Sequence, residues 1–115
     1  MNADPSCVFC RIAAGELPAR KVYEDDEMLA FHDIHPWAPV HLLIVPKQHM
    51  ASMLDVGDDA AGLLGRMLVL APRLLRELGV VNGFRLVINT GADGGQEVPH
   101  LHLHAFGGPR PWVKG

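Results

Sequence analysis

The spacing of apolar positions changes several times along this chain, and each change predicts an element. From Cys7 to about Ala14 it is helical, preceded by Ser6, a residue type that caps helices by accepting from their first free N–H groups, and followed by Gly15 as a stop. Cys7 and Cys10 then share one face of a short helix. Val22-Tyr23-Glu24 and the run Met28 to His32 read as two strands around the acidic turn Asp25-Asp26-Glu27. Pro36 and Pro39 punctuate a loop. His41 to Val45 is a nearly continuous apolar run, as an inner strand requires, and Pro46 ends it.

From about Asp58 to Leu78, residues Ala60, Leu63, Leu64, Met67, Leu68, Ala71, Leu75 and Leu78 recur at helical spacing, and Gly79 is the predicted stop. Val69, Leu70 and Leu74 extend the apolar surface around the cylinder. One small sheet would not cover that much, so the surplus is read as a subunit interface, with a wide core-facing stripe as the alternative. Pro72 removes an intrahelical hydrogen bond and is expected to kink the helix or end it early. Asn82-Gly83 is a turn signal, and Phe84 to Asn89 alternates as a strand. The order of elements predicts an α+β domain spanning 1–115, with a mostly antiparallel sheet, one long helix and one short one.

The last periodic segment carries the chemistry. In His100-Leu101-His102-Leu103-His104-Ala105-Phe106 the histidines occupy every second position, so on a strand all three imidazoles project from one face and Leu101, Leu103 and Ala105 enter a core. A metal-binding tract or surface histidines on a half-buried strand are the plainer readings; a purification tag is not interleaved with leucines. Upstream, Gly94-Gly95-Gln96-Glu97 is a flexible turn able to bring backbone N–H groups close to an anion.

Composition narrows the class. At 115 residues, 49% hydrophobic and 20% charged, the chain has a globular composition and buries roughly two-thirds of its unfolded surface as one domain without a disulfide scaffold. A formal charge of −3 argues against a surface that coats nucleic acid, which needs Lys and Arg to neutralise phosphates, but leaves a mononucleotide ligand open. No apolar stretch approaches a membrane span, and Met1 to Pro5 lacks the basic and apolar regions of a signal peptide, so a cytoplasmic protein is expected. Cys7 and Cys10, the two cysteines, would close only a very small loop as a disulfide; in a reducing compartment their spacing suggests metal or redox chemistry.

His-x-His-x-His followed by two apolar residues resembles the signature of the histidine triad superfamily. The resemblance extends from about Cys7 to Trp112: Cys7-Val8-Phe9-Cys10-Arg11-Ile12, Leu29-Ala30-Phe31-His32-Asp33-Ile34, His41-Leu42-Leu43-Ile44-Val45-Pro46-Lys47-Gln48-His49 and Val87-Ile88-Asn89-Thr90-Gly91 all look like counterparts in that superfamily. The tail Gly107-Gly108-Pro109-Arg110-Pro111-Trp112 is similar to the nucleotide-binding branch, the purine nucleoside phosphoramidases. The resemblance implies a sheet of about five strands joined to a second one across a homodimer. It also implies hydrolysis of the P–N bond in AMP or GMP bonded to an amine, through a nucleotidyl-histidine intermediate. His102 would be the nucleophile, His104 a hydrogen-bond donor to phosphate or leaving-group oxygens, and His41 a support behind the triad.

For the substrate, the resemblance implies ribose contacts from Asp33 and a purine pocket from Phe9, Ile12, Phe31, His32 and Ile34. Asn89 would lie near the nucleophile, the Gly95-Gln96-Glu97 backbone against phosphate, and Trp112 toward the partner's active site and the leaving group. Glu97 departs from the serine of better-known animal members; an ionised carboxylate accepts and does not donate, so only its backbone is carried over. Cys7 and Cys10, read from the residues alone, are a redox pair or half of a metal site, and the βαβ context of thioredoxin-like proteins is absent. The resemblance favours structural zinc, completed by His49 and His100. A dinucleoside polyphosphate hydrolase and a purine-nucleotide-binding regulatory module with little turnover are the competing functions. The phosphoramidase-like tail counts against the first of these.

Overall fold

Strand β1 (Lys21–Glu24), β2 (Met28–His32), β3 (Val40–Pro46), β4 (Phe84–Val87) and β5 (Leu103–Gly107) form one antiparallel sheet in the order β1-β2-β3-β5-β4. Helix α1 (Val8–Ala13) precedes the sheet and α2 (Ala61–Glu77) lies between β3 and β4. This computed structural model describes residues 4–114; Met1 to Ala3, read above for signal features, and Gly115 lie outside the described residues. The α+β class, the antiparallel sheet and the unequal helices agree with the sequence reading.

The period of two along the strands sorts the core into two layers. Met28, Ala30, Leu42, Ile44, Leu101, Leu103 and Ala105 face α2, meeting its Met67, Leu70, Ala71, Leu74 and Leu75. Their neighbours Leu29, Phe31, Leu43 and Val45 point the other way, onto Cys7, Phe9, Cys10 and Ile12 of the N-terminal segment.

Several local expectations are revised. Cys7, not Ser6, is the N-cap of α1: its sulfur accepts from the Cys10 N–H at 3.4 Å, while Ser6 is drawn to Asp4, whose carboxylate its hydroxyl meets at 2.7 Å. Pro72 does not end α2. The helix continues to Glu77 because Leu74 and Leu75, beyond the proline, are anchored in the core, and the Val80 N–H then caps the end on the Leu75 carbonyl. Leu70 and Leu74 are core residues, whereas Leu68, Val69 and Leu78 are exposed; the buried stripe runs through 67, 70, 71, 74 and 75, a narrower i, i+3, i+4 line than the sequence suggested.

The histidine segment is only partly strand. The ladder starts at Leu103, which pairs with Ile44 of β3, and β4 ends at Val87 opposite His104. Leu101 instead donates its N–H to the Met50 carbonyl at 2.7 Å. The alternation nevertheless persists: Leu101, Leu103 and Ala105 stay in the α2 layer, and the imidazoles stay on the other face.

Candidate active site and metal centre

Ring contacts trace one continuous wall from α1 to the far end of the sheet. Phe9 meets Phe31 edge-on at 5.7 Å and His102 at 5.2 Å; His102 meets His104 at 4.9 Å; and His104 stacks on Trp37 at 4.3 Å and 20°. Register explains the order. Phe31, Leu43, His104 and Val87 are paired in a row across β2, β3, β5 and β4, and Asn89, two residues beyond Val87, reaches the same pocket as His102. Phe9, Phe31, Trp37, Leu43, Asn89, His102 and His104 line a pocket of about 870 Å³. Its apolar end is built by Phe9, Ile12, Leu17 and Phe31, and its polar lining includes His32, Asp33, Asn89, Glu97, His102 and His104.

The imidazoles have distinct tautomers, fixed by their partners. His102 donates from Nδ1 to the His100 carbonyl at 2.7 Å, which leaves Nε2 with a lone pair. His41 accepts the Trp37 backbone N–H at Nδ1, so its Nε2 carries hydrogen and donates to Nδ1 of His104 at 2.9 Å. His104 must then hold its proton on Nε2. Asp33 lies 3.6 Å from His41 Nε2, too far to displace that bond, and its other oxygen accepts from the His35 N–H. His41 and His104 therefore form a hydrogen-bonded relay with Asp33 alongside it, and not a metal site, since each nitrogen between the rings is already paired.

Burial keeps the relay neutral. Desolvation, with His102, His41 and Lys114 adding repulsion, pulls the His104 pKa down to about 3. Desolvation likewise lowers His41, against the pull of Asp33, and lowers His32, aided by the Arg20 charge. A neutral His104 is a hydrogen-bond donor. Giving up its proton outright would create an imidazolate in a dry site.

A second cluster lies behind the first. The ligand atoms of Cys7, Cys10, His49 and His100 all fall within 4.8 Å of one another. Sulfur-to-nitrogen separations are 3.2 Å for Cys7 to His100 Nδ1, 3.3 Å for Cys10 to His49 Nδ1 and 3.5 Å for Cys10 to His100 Nδ1. Tetrahedral zinc, with bonds of ~2.3 Å to sulfur and ~2.05 Å to nitrogen, needs about 3.5 Å between such ligands. His100 Nε2–H donates to the Pro46 carbonyl at 2.8 Å, which turns an unprotonated Nδ1 toward the thiols, as a zinc-binding histidine requires. Burial pushes the Cys10 thiol up, so a thiolate there calls for a cation. The four residues fit the metal.

The sequence profile of the HIT domain matches residues 14–110. Protein HitA of Neisseria gonorrhoeae is 49% identical over 104 residues, 90% of this chain and 97% of its own length. The crystal structure of a HIT family hydrolase from Legionella pneumophila Philadelphia 1 shares 51% identity with a TM-score of 0.88, covering 91% of this chain and 95% of that one. The chain belongs to the HIT family. A zinc-bound histidine triad family protein from Mycobacterium smegmatis is 35% identical with a TM-score of 0.77, over 87% of this chain and 73% of that one.

In this HIT protein the pocket gathers Phe9, Ile12, Phe31, His32, Asp33, Ile34, Asn89, Glu97, His102 and His104, all singled out from the sequence. His41 is buried outside the pocket lining and is hydrogen-bonded to His104. Gly95 and Gln96 do not line the pocket: their N–H groups donate to the Ala92 and Gly91 carbonyls, and the Gln96 side chain braces the Gly91 N–H and the Ala51 and Val98 carbonyls. The turn is locked, not flexible. A Cβ on Gly94 would fall 2.2 Å from the Thr90 carbonyl oxygen, and Gly95 sits at φ +76°. Trp112 lies outside the pocket, edge-on to Phe106 and under Arg110.

Sequence reasoning missed Trp37 and Lys114. Trp37 was passed over in a proline-rich loop, yet its N–H sets the His41 tautomer and its ring covers His104. Its carbonyl accepts the N–H groups of Val113 and Lys114, and the Lys114 ammonium lies 4.8 Å from its ring. A large aromatic beside two prolines and ahead of an inner strand was the available signal.

Proposed function

We propose that this HIT protein hydrolyses purine nucleoside phosphoramidates, the conjugates in which AMP or GMP is bonded through phosphorus to an amine. The observation that carries the reading is the opposed protonation of neighbouring rings: His102 offers a lone pair from Nε2 and His104 a hydrogen from Nε2 on the same pocket wall. The purine sits among Phe9, Ile12, Phe31, His32 and Ile34, and Asp33 accepts from the ribose hydroxyls. His102 Nε2 attacks the α-phosphorus in line with the P–N bond. The Nε2–P bond forms as the P–N bond breaks, and the electron pair leaves on the amine nitrogen, which takes its proton from solvent.

The resulting nucleotidyl-imidazolium keeps its Nδ1–H on the His100 carbonyl, which disperses the positive charge, while His104 donates to a phosphoryl oxygen. Water then attacks phosphorus, the P–Nε2 pair returns to His102 and the nucleoside monophosphate departs. Glu97 is the turn residue that lines the pocket, so its backbone is the phosphate contact retained from that segment. Zinc held by Cys7, Cys10, His49 and His100 supplies structural cross-linking of the N-terminal segment to the catalytic sheet, and no reaction step passes through it. The working unit in this proposal is a cytoplasmic homodimer, with β4 as the sheet edge that meets its counterpart.

Incubation with adenosine 5′-phosphoramidate and diadenosine polyphosphates side by side tests the function. Faster release of AMP from the phosphoramidate, with a nucleotidyl group trapped on His102 after acid quench, is expected. Preferential cleavage of the polyphosphates, or no turnover of either, rejects it. Elemental analysis should give about one zinc per chain, and light scattering a dimer mass; a metal-free, fully stable protein or a monomer rejects those parts separately.

A further inference from the structure

His100 belongs to both clusters, through different atoms. Its ring points Nδ1 at Cys7 and Cys10 and is held from behind by the Pro46 carbonyl. Its backbone oxygen is the acceptor, at 2.7 Å, that holds the Nδ1 proton of His102. The residue is fully buried, Phe9 packs edge-on against both His100 and His102, and neither histidine lies in the β5 ladder. Nothing in the sheet's hydrogen bonding therefore fixes the peptide between them. It is held instead by the Leu101 N–H, which shares the peptide plane of the His100 carbonyl and donates to the Met50 carbonyl at 2.7 Å, next to His49, and by the tethered His100 side chain.

We infer that His100 is a positioning residue for the nucleophile, so that metal occupancy of the Cys7–Cys10–His49–His100 site orients the His100 carbonyl and with it the attacking nitrogen of His102. The inference rests on the proposed role of His102 and goes beyond a metal that only braces the fold. Coordination fixes the His100 ring at Nδ1 while Pro46 fixes it at Nε2, leaving the ring little freedom about its axis. The carbonyl is three single bonds from that ring. The metal also holds His49, whose neighbour Met50 anchors that peptide, so once both histidines are loosened the carbonyl swings, the Nδ1–H of His102 loses its acceptor and the alternative tautomer, with Nε2 protonated and no longer nucleophilic, becomes populated. His41 provides an internal control, because its tautomer is set by the Trp37 N–H and owes nothing to the cysteines.

The test uses the full chain in zinc-loaded, cadmium-exchanged and metal-depleted forms, with imidazole ¹⁵N spectra, AMP affinity and steady-state kinetics measured on each. In the zinc form His102 should show the Nδ1–H tautomer alone. Depletion should mix in the other tautomer and lower kcat roughly tenfold or more, with KM and AMP affinity held within about twofold. His41 should be unchanged throughout. Cys10→Ser should reproduce the depleted form. Should depletion unfold the chain, cadmium keeps the site filled with a larger ion, and the His102 resonances must then shift relative to zinc while those of exposed His35 stay in place.

Identical His102 spectra in the three forms overturn the inference. So does a parallel loss of kcat, AMP affinity and the His41 tautomer, which is what a purely structural metal would give. A His102 tautomer that follows the metal in a protein with no hydrolase activity supports the coupling and overturns the proposed function instead.

Discussion

The two faces of the sheet are built from alternate residues of the same strands, yet different physics holds each. On the α2 side Leu42, Ile44, Leu101, Leu103 and Ala105 meet Met67, Leu70, Leu74 and Leu75, and stability there is a matter of apolar area and fit. On the other side His41, His100, His102 and His104 are also buried, but burial of a polar ring is tolerable only when its nitrogens are paired. Trp37, Pro46 and the His100 carbonyl supply those partners. The first face specifies volume. The second specifies which nitrogen carries each proton, and chemistry comes from that.

Adjacent residues on opposite faces make the contrast measurable. His102→Ala should cut phosphoramidate turnover by about three orders of magnitude or more, because it removes the lone pair beside His104 that attacks phosphorus, while AMP binding remains measurable. Leu103→Ala removes a side chain wholly within the α2 layer and should cost about 2–5 kcal/mol of stability by denaturant titration. The protein that remains folded should keep its turnover within about tenfold. Near-normal turnover by His102→Ala, or a Leu103→Ala protein as stable as the parent, would erase the division between the faces.

The aliphatic face was readable because its rule is periodicity. The strand alternation and most of the α2 stripe follow from spacing alone, and the same rule put three imidazoles on one face. Where tertiary contacts compete with a local signal, the reading slipped. Ser6 lost the cap to Cys7 because Asp4 offers its hydroxyl a closer partner, and Pro72 stayed in α2 because burial of Leu74 and Leu75 outweighs one missing hydrogen bond. The Gly94-Gly95 turn looked flexible, yet Gln96 folds back to lock it. Trp37 was out of reach because its role depends on a backbone N–H and on the stacking of His104, neither of which leaves a spacing pattern.

Acid separates the two faces by charge. The His104 pKa in the fold is about 3 and that of His41 is lowered, both chiefly by desolvation, whereas an unfolded histidine titrates near 6.5. Above about pH 6.5 neither state binds a proton and these rings contribute no pH dependence. As pH falls below that, the unfolded chain gains protons that the native chain refuses. Stability should therefore decline by about 1.4 kcal/mol per pH unit for each ring, down to the folded pKa, about 3 for His104. Urea titrations from pH 7 to 4 should show the decline, and His104→Gln should make it shallower. A slope indifferent to that substitution would place the acid sensitivity elsewhere.

The smallest effect concerns the tail, where the two sides of the pocket rim compete. Deleting residues 111–115 should change the ranking of amine leaving groups while AMP affinity holds, because the apolar end and Asp33 are untouched. Two side chains are candidates for that change. Trp112 packs on Phe106 and Arg110 outside the pocket, so within one chain it has no path to the leaving group and acts only if a partner's site lies against it. Lys114 lines the pocket of its own chain, its N–H on the Trp37 carbonyl and its ammonium over the Trp37 ring. An exposed ammonium is worth under about 1 kcal/mol toward a charged leaving group, so Lys114→Ala should shift relative kcat/KM by about threefold. If Lys114→Ala reproduces the deletion, selectivity is set within the chain. If Trp112→Ala reproduces it and Lys114→Ala does not, the tail works across the dimer, and an unchanged ranking in all three variants leaves the rim without a role in selection.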